Sequence, residues 1–371
     1  MSTTSRHLVI MAAGTGGHIM PGLAVADEMK RRGWTVSWLG TEGGMENRLV
    51  PPTGIELDAI AFNGLRGKSL KDTLFGGVRL LKAFVDCYKI LSKRKADAVL
   101  GMGGYVCFPG GVMSAARLLP LVMVNADAAM LLSNKALLPI TDVLACGFDG
   151  PAAQHKVSRV TGNPVRAEIE AIAAPAPRFE GRSGPLKVLV VGGSLGAKVL
   201  NETVPQALAR IAPEQRPRIT HQTGMANFEA VKAEYAKAGL DVQRDVELLP
   251  FINNMAQRLT DCDLIVCRAG AITVSELCAA GVPSVLIPLV VSTTAHQRDN
   301  AEFMAQHQAA IHLPQAELNA DTLARQLQSL QRDELLTMAK RARGLARNHS
   351  AAAVADAIEQ LVQPNKKKAS A

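Results

Sequence analysis

The residues best placed to do chemistry in this 371-residue chain stand in glycine turns. Gly14-Thr15-Gly16-Gly17-His18 follows the apolar run 7–12 and precedes a stretch at 19–32 with Leu23, Ala26 and Met29 at helical spacing. A glycine turn between a strand and a helix lets a phosphate reach backbone N–H groups at the positive helix end, where a Cβ would block the approach. A helix N-terminus would depress the pKa of His18 and keep the imidazole neutral, able to accept a proton. A histidine that only makes a structural hydrogen bond is the alternative. A second turn, Gly192-Gly193-Ser194-Leu195-Gly196-Ala197, follows the apolar run 187–191 and repeats the design. Neither turn carries the dinucleotide fingerprint: Ile19 replaces the third glycine in the first, and Ser194 and Ala197 occupy glycine positions in the second. That argues against NAD or FAD.

Two further groups suit a nucleotide. Arg166, after Gly162-Asn163-Pro164-Val165, offers a guanidinium to a diphosphate, or is a surface arginine. Ala269-Gly270-Ala271-Ile272-Thr273-Val274-Ser275-Glu276 places small residues before a helix. One turn into it, Glu276 can accept hydrogen bonds from a ribose diol or simply favour the helix start.

These groups need elements to hold them. Apolar runs alternate with amphipathic segments throughout, which is the pattern of βαβ units around a parallel sheet. Strands are expected at 7–12, 35–39, 98–101, 121–124, 143–146 and 159–161, then at 187–191, 218–222, 246–248, 264–267 and 284–287. Helices are expected at 19–32, from 197 to about 211, and at 350–361. Residues 171–185, rich in Ala and Pro, mark a break near the start of a second domain. Residues 65–95 interleave Leu70, Leu74, Phe75, Val78, Leu81, Phe84, Val85, Tyr88 and Leu91 with Arg66, Lys68, Lys71, Arg79, Lys82, Lys89, Lys93, Arg94 and Lys95. Such a segment fits a helix lying on an anionic membrane surface, or a core-packed helix with a solvated basic face.

Composition narrows the class. The length suits two α/β domains, and 48% apolar residues supply substantial cores. No apolar run reaches the roughly 18 residues of a membrane span, and the polar start lacks the regions of a secretory signal. Six cysteines without a Cys-x-x-Cys pair read as reduced, buried thiols of a cytosolic protein. No His or Cys cluster has metal-ligand spacing. A net charge of +8 favours anionic partners. The lack of aromatics interleaved with basic residues argues against nucleic acid.

Taken in order, Gly14 to Gly22, Gly64-Leu65-Arg66-Gly67, Gly101-Met102-Gly103-Gly104-Tyr105-Val106, Gly162 to Arg166, Gly192-Gly193-Ser194, Phe251-Ile252 and Gly270 to Glu276 resemble the motifs of the MurG family, over about 7–363. The resemblance implies a GT-B fold, two Rossmann-like domains facing across a cleft, with the last helix crossing back to the first. Residues 1–163 with 349–363 would bind the acceptor and the membrane, residues 164–348 would bind the UDP-sugar, and 364–371 form a basic tail. It implies inverting transfer of N-acetylglucosamine from UDP-N-acetylglucosamine to the C4 hydroxyl of the muramoyl sugar of lipid I, the undecaprenyl-diphosphate-linked muramoylpentapeptide. No metal or cofactor is implied. The partners would be the two substrates, an anionic membrane surface and other cell-wall synthesis proteins, at the cytoplasmic face of the inner membrane.

By the same resemblance His18 is the catalytic base. Thr15, Gly16, Gly17, Arg166, Ser194, Ile252, Ala271, Ile272, Thr273, Glu276 and Gln297 meet the donor, and Gly14, Tyr105, Asp127, Asn134 and Asn201 meet the acceptor. The second turn holds the donor diphosphate and the first faces the acceptor's, so His18 stands between two substrates. The chain departs from the family at Val124-Asn125-Ala126-Asp127, where His-Glu-Gln-Asn is usual, and at His296-Gln297, where Gln-Gln is usual, after a one-residue insertion. Leu195 replaces Gln and Ala269 replaces Ser. Asp127 could replace an amide contact or compete as the base. A UDP-N-acetylglucosamine 2-epimerase, another GT-B transferase and a non-catalytic nucleotide-sugar-binding scaffold are the alternative readings.

Overall fold

The computed structural model describes residues 5–62, 70–127, 129–193, 195–289 and 296–363, with side chains at 70–75 left aside. The chain divides into two compact units, one of Met1–Arg166 with His349–Ala371 and one of Ala167–Asn348. Gly64-Leu65-Arg66-Gly67 and Ser194 lie outside the described residues.

The first unit holds a parallel sheet of seven strands: β1 (His7–Ala12), β2 (Thr35–Thr41), β3 (Glu56–Ile60), β4 (Ala98–Gly103), β5 (Leu121–Asn125), β6 (Val143–Cys146) and β7 (Ser158–Val160), in the order β3-β2-β1-β4-β5-β6-β7. Alternate residues of β1 feed two cores. Leu8 and Ile10 pack with Leu23, Val25 and Met29 of the helix Gly16–Arg31, while Val9 and Met11 pack with Cys87, Leu91 and Cys107 on the opposite face. That face is covered by the helices Leu70–Lys93 and Cys107–Ala116. Covering both faces is what makes the strands near-continuous apolar runs.

The second unit repeats the plan with six parallel strands: β8 (Lys187–Val191), β9 (Arg218–Gln222), β10 (Val246–Leu249), β11 (Leu264–Cys267), β12 (Ser284–Leu286) and β13 (Ile311–His312), in the order β10-β9-β8-β11-β12-β13. Two strands have no counterpart in the sequence reading. β3 is an edge strand whose Glu56 and Ala59 are exposed, so its pattern is diluted, and β13 has only two residues.

The first helix begins at Gly16, earlier than the apolar periodicity indicates, because the two glycines already adopt helical geometry behind Thr15. The Ala- and Pro-rich segment is no free connection. Its Arg178 donates to the carbonyls of Ala173, Leu259, Ala280 and Gly281, and Arg182 donates to those of Thr260 and Cys262 and to Asp263. Those bonds seat it in the second unit, and the short helix Pro175–Phe179 forms within it.

The last helix, Ser350–Val362, belongs to the first unit. Its Val354, Ala355, Ala357 and Ile358 are buried in the core that holds Leu8 and Ile10. Arg32, at the end of the first helix, donates to Asp356 at 2.6 Å and Glu359 at 2.8 Å, and Trp34 Nε1 donates to Glu359 at 3.2 Å.

The two tryptophans of the chain, Trp34 and Trp38, both lie in this unit, so their fluorescence follows its unfolding alone. Ile358→Ala, which empties a fully buried site, should lower the stability read by tryptophan fluorescence in urea by about 2–4 kcal/mol. A shift below about 0.5 kcal/mol would mean the helix adds nothing to that core.

Candidate active site

In an open parallel sheet, ligands meet the carboxyl ends of the strands where the order of connections reverses, since the two adjoining loops leave in opposite directions. In the first unit that point lies between β1 and β4, and in the second between β8 and β11. The loops at these points are 13–15 and 104–106, then 192–197 and 268–270.

The first pair of loops builds a pocket for one imidazole. His18, in the first turn of its helix, directs Nδ1 at the carbonyl oxygen of Ala13, 3.2 Å away. A carbonyl only accepts, so Nδ1 carries the proton and Nε2 of the neutral ring keeps its lone pair. Gly103, at φ +127°, lies under the ring: a Cβ there would come within 2.5 Å of His18 Cδ2 and 2.7 Å of Nε2. Gly104, at φ +91°, is as constrained, because its Cβ would stand 2.5 Å from the Ala13 oxygen. Cys107 fixes this corner, its sulfur meeting Gly103 N at 3.3 Å and Met11 O at 3.4 Å.

The His18 pKa is lowered, with loss of hydration the leading cause, rather than the helix terminus to which the sequence points. The Ala13 carbonyl and the charges of Asp127 and Glu46 oppose that shift. Gly14, Thr15 and Gly17 are exposed beside the ring and Gly16 partly so. As the first helical residues, Gly16 and Gly17 have N–H groups without intrahelical acceptors. Tyr105 is exposed on the β4 loop.

The altered Val124 to Asp127 segment has a physical account. Val124, Asn125 and Ala126 are buried. Asn125 donates to the carbonyls of Asp127 and Ala129, and its oxygen accepts from Leu131 N and Asn134 Nδ2. Asn134 is buried under the loop and also donates to Val124 O. Asp127 remains partly exposed and near enough to His18 to act on it through its charge.

In the second unit the turn 192–197 is clamped to the end of β9. Asn201 Nδ2 donates to Thr223 O, and Asn227 Nδ2 donates to Leu195 O at 3.0 Å and to Thr223 O at 3.2 Å. Since the Asn201 amide donates there, its oxygen faces His221 Nε2 at 3.1 Å, and His221 Nδ1 accepts from the Tyr235 hydroxyl at 2.8 Å. Burial pushes the His221 pKa down to about 3, so this chain of bonds stays neutral. Asn201 is thus a buried support for the turn.

The other donor-side candidates occupy the β11 and β12 ends. Gly270 caps the helix Ala271–Ala280, whose first turn carries Ile272 and Thr273, and Glu276 is partly exposed farther along it. Arg268, missed by the sequence reading, donates to Ile287 O at 3.1 Å and Gln315 Oε1 at 2.8 Å, and burial lowers its pKa. Gln297 accepts from Leu289 N through Oε1 at 2.9 Å, which leaves Nε2 to donate elsewhere. Ile252 is buried in the loop after β10, and Arg166 is partly exposed at the end of the first unit.

Residues 8–143 match the glycosyltransferase family 28 N-terminal domain, and residues 187–361 match its C-terminal domain. A relative from Methylibium petroleiphilum, named UDP-N-acetylglucosamine–N-acetylmuramyl-(pentapeptide) pyrophosphoryl-undecaprenol N-acetylglucosamine transferase, is 65% identical over 97% of this chain and 99% of its own. The crystal structure of Acinetobacter baumannii MurG is 36% identical, with a TM-score of 0.78, over 96% of this chain and 99% of that one. A putative UDP-N-acetylglucosamine 2-epimerase from Listeria monocytogenes, at 14% identity and TM-score 0.67 over 97% of each chain, shares the fold alone. This chain belongs to the MurG family, within glycosyltransferase family 28.

Proposed function

We propose that this enzyme transfers N-acetylglucosamine from UDP-N-acetylglucosamine to the C4 hydroxyl of the muramoyl sugar of lipid I, with inversion, to form lipid II. The observation that carries the mechanism is His18: a neutral imidazole with Nε2 free, at the reversal point of the first sheet. In the forward step Nε2 takes the C4 hydroxyl proton while that oxygen attacks the donor C1. The C1–O bond to the diphosphate breaks on the opposite side, and UDP leaves with the bonding electrons. Gly14 and Tyr105 then belong to the acceptor side, and Thr15, Gly16 and Gly17 to the donor.

The second unit supplies the donor side. The departing diphosphate meets N–H groups at the turn 192–197 and at the helix start Ala271–Thr273, which favour charge developing in the transition state, and the motif that ends at Arg166 supplies the cation. Ser194 belongs to this set by its place in the motif. Glu276 takes the ribose diol, the Ile252 backbone the uracil, and Gln297 Nε2 the transferred sugar. Asn134 and Asn201 act from beneath, by holding loop shape.

We further propose peripheral attachment to an anionic membrane at the cytoplasmic face of the inner membrane, where lipid I would be met. On the helix Leu70–Lys93, Val78 and Leu81 are 65% and 66% exposed and Val85 and Tyr88 about half, at spacings that set them on one face beside Arg79, Lys82 and Lys89. The guanidinium of Arg117 lies 5.1 Å from the Tyr88 ring centroid. Apolar side chains among exposed cations suit the lipid interface. No described helix is long and apolar enough to cross a membrane.

Labelled N-acetylglucosamine should pass from UDP-N-acetylglucosamine to a lipid I analogue, and no transfer at high enzyme concentration would sink the reading. His18→Ala should lower kcat by roughly 100-fold or more. Because the base must be neutral and its pKa lies below the ordinary 6.5, the wild-type rate should hold through neutral pH and fall only in more acid solution; an unchanged rate in the variant rejects the base. Finally, Leu81→Ser with Tyr88→Ser should weaken co-sedimentation with phosphatidylglycerol vesicles by about 10-fold or more. Equal sedimentation of variant and wild type would remove the helix from the membrane contact.

A further inference from the structure

The buried carboxylate of Glu46 has no role in the reaction as described, yet one peptide group separates it from the base. Glu46 opens the short helix Glu46–Leu49 and is fully buried. Its Oε1 accepts from Thr41 N at 2.8 Å and from Thr41 Oγ1 at 2.9 Å. Its Oε2 accepts from Gly14 N at 3.0 Å. Gly14 N–H belongs to the peptide group whose carbonyl is that of Ala13, and that carbonyl accepts from His18 Nδ1 at 3.2 Å.

We infer that Glu46 is a positioning residue for His18, acting through the Ala13–Gly14 peptide. A carboxylate on the N–H side draws positive charge to the nitrogen and leaves the carbonyl oxygen more negative, because hydrogen bonds in a chain polarise one another. The carbonyl then holds the Nδ1 proton more firmly, keeps the ring in the tautomer with Nε2 free, and supports the imidazolium formed when Nε2 takes a proton. A carboxylate bonded directly to the ring would do the same more strongly. No atoms or electrons move along the path: the proton stays on Nδ1 throughout.

The surroundings favour this use. Gly40 and Gly44 leave room for the Glu46 side chain, since a Cβ at either would collide with it. Gly104 leaves room for the Ala13 oxygen. The charged groups that act on His18 are Glu46 and Asp127, both acidic, and both raise its pKa against the lowering caused by burial.

The inference rests on His18 as the base, and its test separates the two claims. In Glu46→Gln the side-chain amide cannot accept at all three donors, so one of the Gly14 and Thr41 contacts is lost. His18 followed by NMR in the free enzyme should then titrate at lower pH than in wild type, with kcat down roughly 10-fold, the lower end for losing an outer partner of an imidazole. Added to His18→Ala, the same substitution should cost no further activity. An unmoved His18 titration, or an equal loss of kcat in both backgrounds, would make Glu46 a brace of the loop and overturn the proposal. Nitrogen shifts of the wild-type imidazole decide even if Glu46→Gln fails to fold: they should report a proton on Nδ1, and a ring protonated on Nε2 refutes the path. Should the enzyme transfer no sugar, the NMR results still stand for or against Glu46.

Discussion

An all-parallel sheet has two apolar faces, and each must be covered. Most of what this chain does follows from how the first unit meets that demand. On one face β1 packs under the helices Gly16–Arg31 and Ser350–Val362, and on the other the core reaches the helix Leu70–Lys93. The helices enter and leave at strand ends, so the loops that connect them gather there. At the reversal of strand order two such loops converge, and His18 occupies the space they share. The same demand leaves the outer face of Leu70–Lys93 to carry an exposed apolar stripe.

Around His18, side chains matter by their absence. Gly103 and Gly104 let the imidazole and the Ala13 carbonyl approach to distances that a Cβ would forbid. In the second unit Gly196 has the same relation to the Thr223 carbonyl, whose oxygen already takes the amides of Asn201 and Asn227. The two loops are thus held by different means. The first is pinned by a buried carboxylate and a thiol, the second by uncharged amides and a neutral histidine.

Much of this was readable along the chain. The turns at Gly14 and Gly192, the alternation of strands and helices, and the motif order all declare themselves in neighbouring residues. Residues joined only by folding did not. Glu46 lies 32 positions from the Gly14 N–H that it accepts, and nothing nearby marks it as other than a helix-forming glutamate. Asn134 and Asn201 lie outside the glycine motifs, and an amide serves a buried loop as readily as a ligand, so their hydrogen bonds emerge only from the fold. The motif glycines stand out in the sequence, whereas their purpose depends on the ring and carbonyl that they face. β3 leaves a weak signal in the sequence because an edge strand keeps solvent-facing residues such as Glu56.

The last helix has a consequence for how the chain is made. Domains generally fold as units while a protein is synthesised, the N-terminal one first. Here the N-terminal unit lacks part of its core until residues 350–362 emerge, whereas the second unit is complete at Asn348. The later unit is therefore the first able to close, and the earlier one waits with Leu8 and Ile10 beside an unfilled place for Val354 and Ile358. The unit that holds His18 matures only once residues 350–362 have been made, so a translation product interrupted before them would lack a finished site for the base.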